Sequence, residues 1–87
     1  PQLALDGGPK GMDLVARIIA EAPGHLAPGG LLLMEVDDTQ EEAVLDAFQK
    51  SGRWARYEVL RDLAGKVRYA KAMMSERGRF CFAHSGK

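Results

Sequence analysis

Four groups of residues in this 87-residue chain have types and spacings that could do chemistry. The first is Gly7-Gly8, in a loop that also holds Pro9 and Gly11. Glycine tolerates positive φ and lets the main chain approach another group closely, so such a loop can lie against a ligand. It can equally do no more than turn the chain into the next helix. The second group is Glu35, Asp37 and Asp38, carboxylates at the end of an apolar run. Acids just ahead of a helix stabilise its N-terminus, and that reading is preferred over a ligand site. The third group sets Trp54 and Tyr57 beside Arg53 and Arg56, a combination able to stack on a nucleic-acid base. Aromatics in an alternating segment more often pack or cover a sheet edge. Finally, Cys81, His25 and His84 are scattered without metal-ligand spacing, so no metal site is expected. Met73, Met74 and Cys81 read as apolar filler.

At 87 residues the chain makes one small domain with a core of marginal size. No apolar run approaches the roughly 20 residues of a membrane-spanning helix, and no basic region followed by an apolar stretch marks a secretory signal. No membrane partner is expected. A single cysteine excludes an internal disulfide and fits a reducing compartment, the cytoplasm or an organelle matrix. Beginning at Pro1 rather than methionine, the chain is expected to be processed or partial. The net charge of zero conceals an asymmetry: residues 1–50 hold nine acids and three bases, residues 51–87 nine bases and three acids. A basic half can be a footprint for nucleic acid. Here the bases are dispersed singly, so mutual neutralisation across the fold is preferred and nucleic acid is not the expected partner.

Residues 1–11 read as a loop anchored by Leu3 and Leu5. Leu14, Val15, Ile18, Ile19 and Ala22 recur at helical spacing and define a buried stripe, with Asp13 at the positive end of the helix dipole. Pro23-Gly24 ends that helix, and Pro28-Gly29-Gly30 turns into Leu31-Leu32-Leu33-Met34-Glu35-Val36. A run apolar on both faces predicts a strand inside a parallel sheet, covered above and below. Thr39 and Glu42 match a capping box for a second helix bearing Ala43, Val44, Ala47 and Phe48, stopped at Ser51-Gly52. Ala55, Tyr57 and Val59 alternate as a half-buried strand. Asp62 to Gly65 turns it into an antiparallel return strand, Val67 to Met73. A short last strand around Phe80 and Phe82 is possible, and residues 84–87 should fray.

These pieces resemble, in order, the C-terminal third of the HemK-like protein-(glutamine) methyltransferases. Ala4-Leu5-Asp6-Gly7-Gly8-Pro9-Lys10-Gly11-Met12-Asp13-Leu14 is similar to that family's A-L-x-G-G-x-D-G-L-D-L segment. Leu26-Ala27-Pro28-Gly29-Gly30 and the strand after it resemble L-K-P-G-G-x-L-L-L-E-I/V. Gln40 and its helix match D-Q-x-x-A-V, and Asp62-Leu63-Ala64-Gly65 with Arg68 matches the D-L-A-G-x-x-R turn. The resemblance covers residues 3–74 of a single unit, 1–87, and leaves the tail 75–87 unmatched. Asp37 stands where the family usually has glycine, and Val67 where aspartate is common.

The resemblance implies an α/β fold: the C-terminal portion of a doubly wound, Rossmann-like class I methyltransferase sheet. Two helices and three or four strands would end in an antiparallel hairpin. It implies an enzyme that transfers methyl from S-adenosylmethionine to the side-chain amide of a glutamine in peptide-chain release factors. It also implies that Leu5, Gly7 and Gly8 border the substrate pocket. The family's Asn-Pro-Pro-Tyr motif and its Gly-rich cofactor loop are absent from residues 1–87, which contain no asparagine. No catalytic or cofactor-binding residue is therefore assigned, and the chain alone is expected to bind no cofactor and to be inactive. It is expected either to self-associate or to need the missing N-terminal part of the enzyme. The alternative from another class is a non-catalytic module whose basic C-terminal half binds RNA or a partner protein.

Overall fold

A computed structural model describes residues 2–5 and 11–75. Helix α1 spans Met12–Glu21, and its first turn closes where the amide of Val15 donates to the carbonyl of Gly11 at 3.0 Å. Val15 and Ile19 form its buried face, continued by Ala22 just past its end. Leu14, expected in the same stripe, is 47% exposed, because it sits about 100° around the helix from Val15 and past the edge of the covered arc. The chain tightens into a 3-10 turn at Ala22–His25, where Pro23 needs no amide donor. It then reverses at Ala27–Gly30, closed by a 2.8 Å bond from the Gly30 amide to the Ala27 carbonyl. Gly29 takes the third turn position with φ 80°, a left-handed conformation that suits glycine.

Strand β2 follows at Leu31–Glu35 and helix α2 at Glu41–Ser51. The capping box lies two residues earlier than Thr39 and Glu42. Asp37 caps the 3-10 turn Asp38–Gln40 by accepting from the Thr39 amide, and the Gln40 side chain accepts from the Asp37 amide at 2.7 Å. The 3-10 turn meets the chain before α2 does, so its free amides are the ones satisfied. Gly52, at φ 69°, ends α2 in the left-handed conformation expected of a C-terminal glycine. Strands β3 (Trp54–Arg61) and β4 (Val67–Met74) make the expected antiparallel hairpin.

Residues 2–5 correct the reading of the first segment as a loop. Gln2–Leu5 is strand β1, parallel to β2 in the register Gln2↔Leu31 through Leu5↔Met34. Four residues are too few for a periodic signal, and the pairing is set by a partner far away in the chain. The four strands form one sheet in the order β1-β2-β4-β3, with β4 inserted antiparallel between β2 and β3. The possible strand around Phe80 and Phe82 lies outside the described residues.

Strand β2 is an interior strand, as its sequence implies, but its surroundings differ from the expectation of cover above and below. Its neighbours are parallel on one side and antiparallel on the other. Helices α1 and α2 touch one another, and both share one core with the sheet face of Leu32, Met34, Ala70 and Ala72. Within that layer Phe48 meets the Trp54 ring edge-on at 5.4 Å and stacks on Tyr57 at 5.2 Å. The other face carries Leu31 and Leu33 half-buried, with no helix of the described residues over them.

Candidate functional site at the carboxyl ends of the strands

Because β2 and β3 both run antiparallel to β4, they run parallel to each other and to β1. The carboxyl ends of β1, β2 and β3 therefore lie along one edge of the sheet, the edge where ligands gather in α/β sheets. Leu5 ends β1 there, opposite Met34; Gly7 and Gly8 lie outside the described residues. The segment after β2 and the turn after β3 stand beside each other on the same edge, joined by a 2.8 Å bond from the Val67 amide to the Asp38 carboxylate.

The carboxylates of this edge are engaged in holding it together. Asp37 accepts from both the hydroxyl and the amide of Thr39. These two bonds, the hydroxyl first, hold its carboxyl below the ordinary value of 3.8. Asp62 accepts from the Ala64 amide at 2.9 Å, the Lys66 amide at 3.0 Å and the Arg68 guanidinium at 2.8 Å. The Lys66 amide, then Arg68, hold Asp62 low as well, and the bond to Asp62 raises Arg68 in turn. Arg61 bridges the turn to α2, donating to the Gly65 carbonyl at 3.2 Å and to Glu41 at 2.7 Å. The edge is thus a rim built from two crosslinked turns. Leu63, at the tip, is fully exposed.

This geometry separates the candidates. Glu35, Asp37 and Asp38 do not converge as a ligand set: Asp37 is a cap and Asp38 anchors the start of β4. Trp54 is buried and Tyr57 half-buried, both against Phe48, which leaves neither ring as an open stacking platform. Arg61 pairs with Glu41 from the acidic half, so part of the charge asymmetry is neutralised across the fold. Among the described residues no group of three or more histidine, cysteine, aspartate or glutamate side chains could hold a metal ion, and no helix is long and apolar enough to cross a membrane. Sequence reasoning missed the part played by Asp62, although an aspartate two residues ahead of an amide in Asp-Leu-Ala-Gly is an Asx-turn signal. The Asp38–Val67 bond spans 29 residues and has no local signal.

The carboxylates at the strand ends are bound into their own turns.

No family model matches the chain, and no solved structure matches it. Among curated proteins, it is 44% identical over 68 residues to a release factor glutamine methyltransferase of Moorella thermoacetica, covering 78% of this chain and 24% of that protein. Proteins of the same name from Gloeobacter violaceus and Synechocystis sp. are 40% identical over 78 residues and 39% over 72. These alignments take in 90% and 83% of this chain, but 27% and 24% of the relatives. The chain spans about a quarter of the length of the curated relatives it matches. Over most of its length the chain is thus similar to one quarter of a release factor glutamine methyltransferase.

Proposed function

We propose that this chain is the C-terminal part of an S-adenosylmethionine-dependent methyltransferase acting on the glutamine side-chain amide of peptide-chain release factors. In this reading further polypeptide completes the domain. The observation that carries it is the identity of 39–44% to proteins named for that activity, extending over most of the chain. The strand order supports it. The connections β1-α1-β2 and β2-α2-β3 step in one direction across the sheet, and α1 and α2 share one face. Crossovers of parallel strands are right-handed, so strands wound further in that sense would add helices to the same face only. Covering the open face takes strands wound the other way beyond β1, which makes the sheet doubly wound with its reversal at β1.

Ligands of such sheets bind outside the carboxyl ends at that reversal. Leu5, and Gly7-Gly8 after it, would then border the substrate pocket. In methyl transfer the amide nitrogen forms a bond to the methyl carbon as the sulfonium–carbon bond breaks, and the nitrogen gives up a proton. The reaction depends on alignment of the two reactants. This chain supplies the rim beside that alignment: β1 fixes where the glycine loop departs, and Asp38 and Asp62 fix the neighbouring turns. Neither cofactor nor acceptor grip comes from its residues.

The test uses labelled S-adenosylmethionine and a release-factor fragment. The chain alone should transfer no label. The same chain extended toward its N-terminus to the length of its relatives, with an Asn-Pro-Pro-Tyr motif upstream of Gly7, should label one glutamine. Transfer by the isolated chain, or none by the extended one, would overturn the reading.

A further inference from the structure

The tip of the β3–β4 hairpin exposes an apolar side chain that its turn does not call for. The amide of Gly65 donates to the carbonyl of Asp62 at 2.9 Å, the amide of Asp62 donates to the carbonyl of Lys66 at 2.8 Å, and Gly65 has φ 86°. This is a three-residue loop with a glycine bulge, whose first position accepts most residue types. Leu63 fills that position and is fully exposed. The other exposed large hydrophobics of the described residues, Leu14 and Tyr69, are 47% and 41% exposed, so each keeps half or more of its surface covered. Leu63 belongs to neither face of the sheet, since the last pair of the hairpin is Arg61↔Val67. Cover laid over either face does not by itself reach it. Its backbone is anchored on both sides: the Asp62 carboxylate takes the Ala64 and Lys66 amides, and Arg61 holds the Gly65 carbonyl. Charges ring the tip, with Lys66 exposed, Arg61 paired to Glu41 and Arg68 paired to Asp62.

We infer that Leu63 docks on the folded release factor, away from the glutamine that reacts, and so helps to select the protein that is methylated. The inference rests on the proposed function and goes beyond it by naming a contact that reads the protein rather than its amide. One glutamine side chain offers few contacts with which to tell proteins apart, so selection draws on surface remote from the reacting atoms. Leu63 stands on the carboxyl edge of the sheet, the edge that the reacting groups share in that reading. With neighbouring strands about 4.8 Å apart, the hairpin lies about 10–15 Å along this edge from β1. That is beyond the reach of a glutamine side chain, but well inside the footprint of a folded partner, about 800 Å2 on each side. An exposed leucine is ordinary by itself. This one is set apart by its anchored turn, which has little freedom left to lose on binding, and by its place on the reacting edge. An apolar group within a ring of charges also has the layout of an interface centre and its rim.

The test uses the extended polypeptide and two acceptors, a whole release factor and a short peptide around its glutamine. Leu63→Ser should lower kcat/KM for the whole protein by about tenfold, mainly through KM, as expected when a leucine is lost from a buried contact. For the peptide the loss should stay below about twofold, because the peptide does not reach the tip. Leu63→Met should recover most of the rate on the protein. Equal losses on both acceptors, or no loss on the protein, would overturn the inference. A photocrosslinker on Leu63→Cys in a Cys81→Ser background should attach to the release factor. One on Lys50→Cys, exposed at the far end of α2, should not. Attachment of the Leu63→Cys probe to a second copy of the chain, or equal attachment from both positions, would overturn it. Crosslinking needs no methyl transfer. Attachment through Leu63→Cys without methylation sinks the proposed function alone, and methylation undiminished in Leu63→Ser sinks the docking contact alone.

Discussion

The two faces of one sheet are built from the same strands and live in different surroundings. On β2, Leu32 and Met34 are wholly buried beneath the two helices, while Leu31 and Leu33, their immediate neighbours, are half-buried on the opposite side. Alternation along a strand puts odd and even residues on opposite faces. A run of leucines therefore states that both faces are to be covered, and the described residues cover only one. The covered face should behave as a core residue by residue, and the open face should become a core only when its cover arrives.

The largest test of that contrast pairs Phe48 with Leu33. Phe48 is 1% exposed and touches both Trp54 and Tyr57. Phe48→Ala should cost about 3–5 kcal/mol, enough to leave a small domain of marginal stability largely unfolded. Leu33→Ala in the same chain should cost less, about 1–2 kcal/mol, since its side chain is only partly covered. In the extended polypeptide the Leu33→Ala cost should rise to about 2–5 kcal/mol. Urea denaturation followed by circular dichroism measures all three, and an unchanged Leu33 cost would break the comparison between faces.

A smaller effect isolates backbone conformation from packing. A Cβ added at Gly52 would meet no atom within 4 Å, but the residue has φ +69°. Gly52→Ala should therefore destabilise by about 1–2 kcal/mol through the left-handed conformation alone. The same denaturation experiment reads it, and a neutral result would mean that the end of α2 rearranges at little cost.

Much of this architecture is legible in the sequence, and what is not has identifiable causes. The helices are visible because Val15 and Ile19, and Val44 and Phe48, recur at helical spacing. The hairpin is visible because Asp62-Leu63-Ala64-Gly65 sits between alternating segments. Strand β1 was hidden because its pairing partner, β2, lies 29 residues downstream in register. The faces of β2 could not be ranked because leucine occupies both. At the site, aspartates such as Asp38 could be located but not their partners, since the Val67 amide comes to it through the fold. The resemblance to a methyltransferase segment was legible because glycine turns and short polar motifs are local, and local patterns can be read without a distant partner.

The smallest effect expected is local to the rim and acts through pH. Asp37 and Asp62 are both held below their ordinary value of 3.8 by bonds made only in the folded chain. A carboxylate depressed on folding contributes stability that is present above its unfolded pKa and lost as pH falls through the folded one. The rim should therefore be intact at neutral pH and loosen below about pH 4, while the covered core, with no buried titratable side chain among the described residues, has no reason to follow it. Hydrogen exchange of the Ala64 and Lys66 amides, corrected for intrinsic rates, should quicken on acidification before the amides of α2 do. Asp62→Asn should reproduce part of that change at neutral pH, because an amide oxygen can still accept but no longer attracts Arg68 as a charge. If the rim and the core loosened together in acid, the two turns would be a cooperative part of the core and not a separately fastened edge.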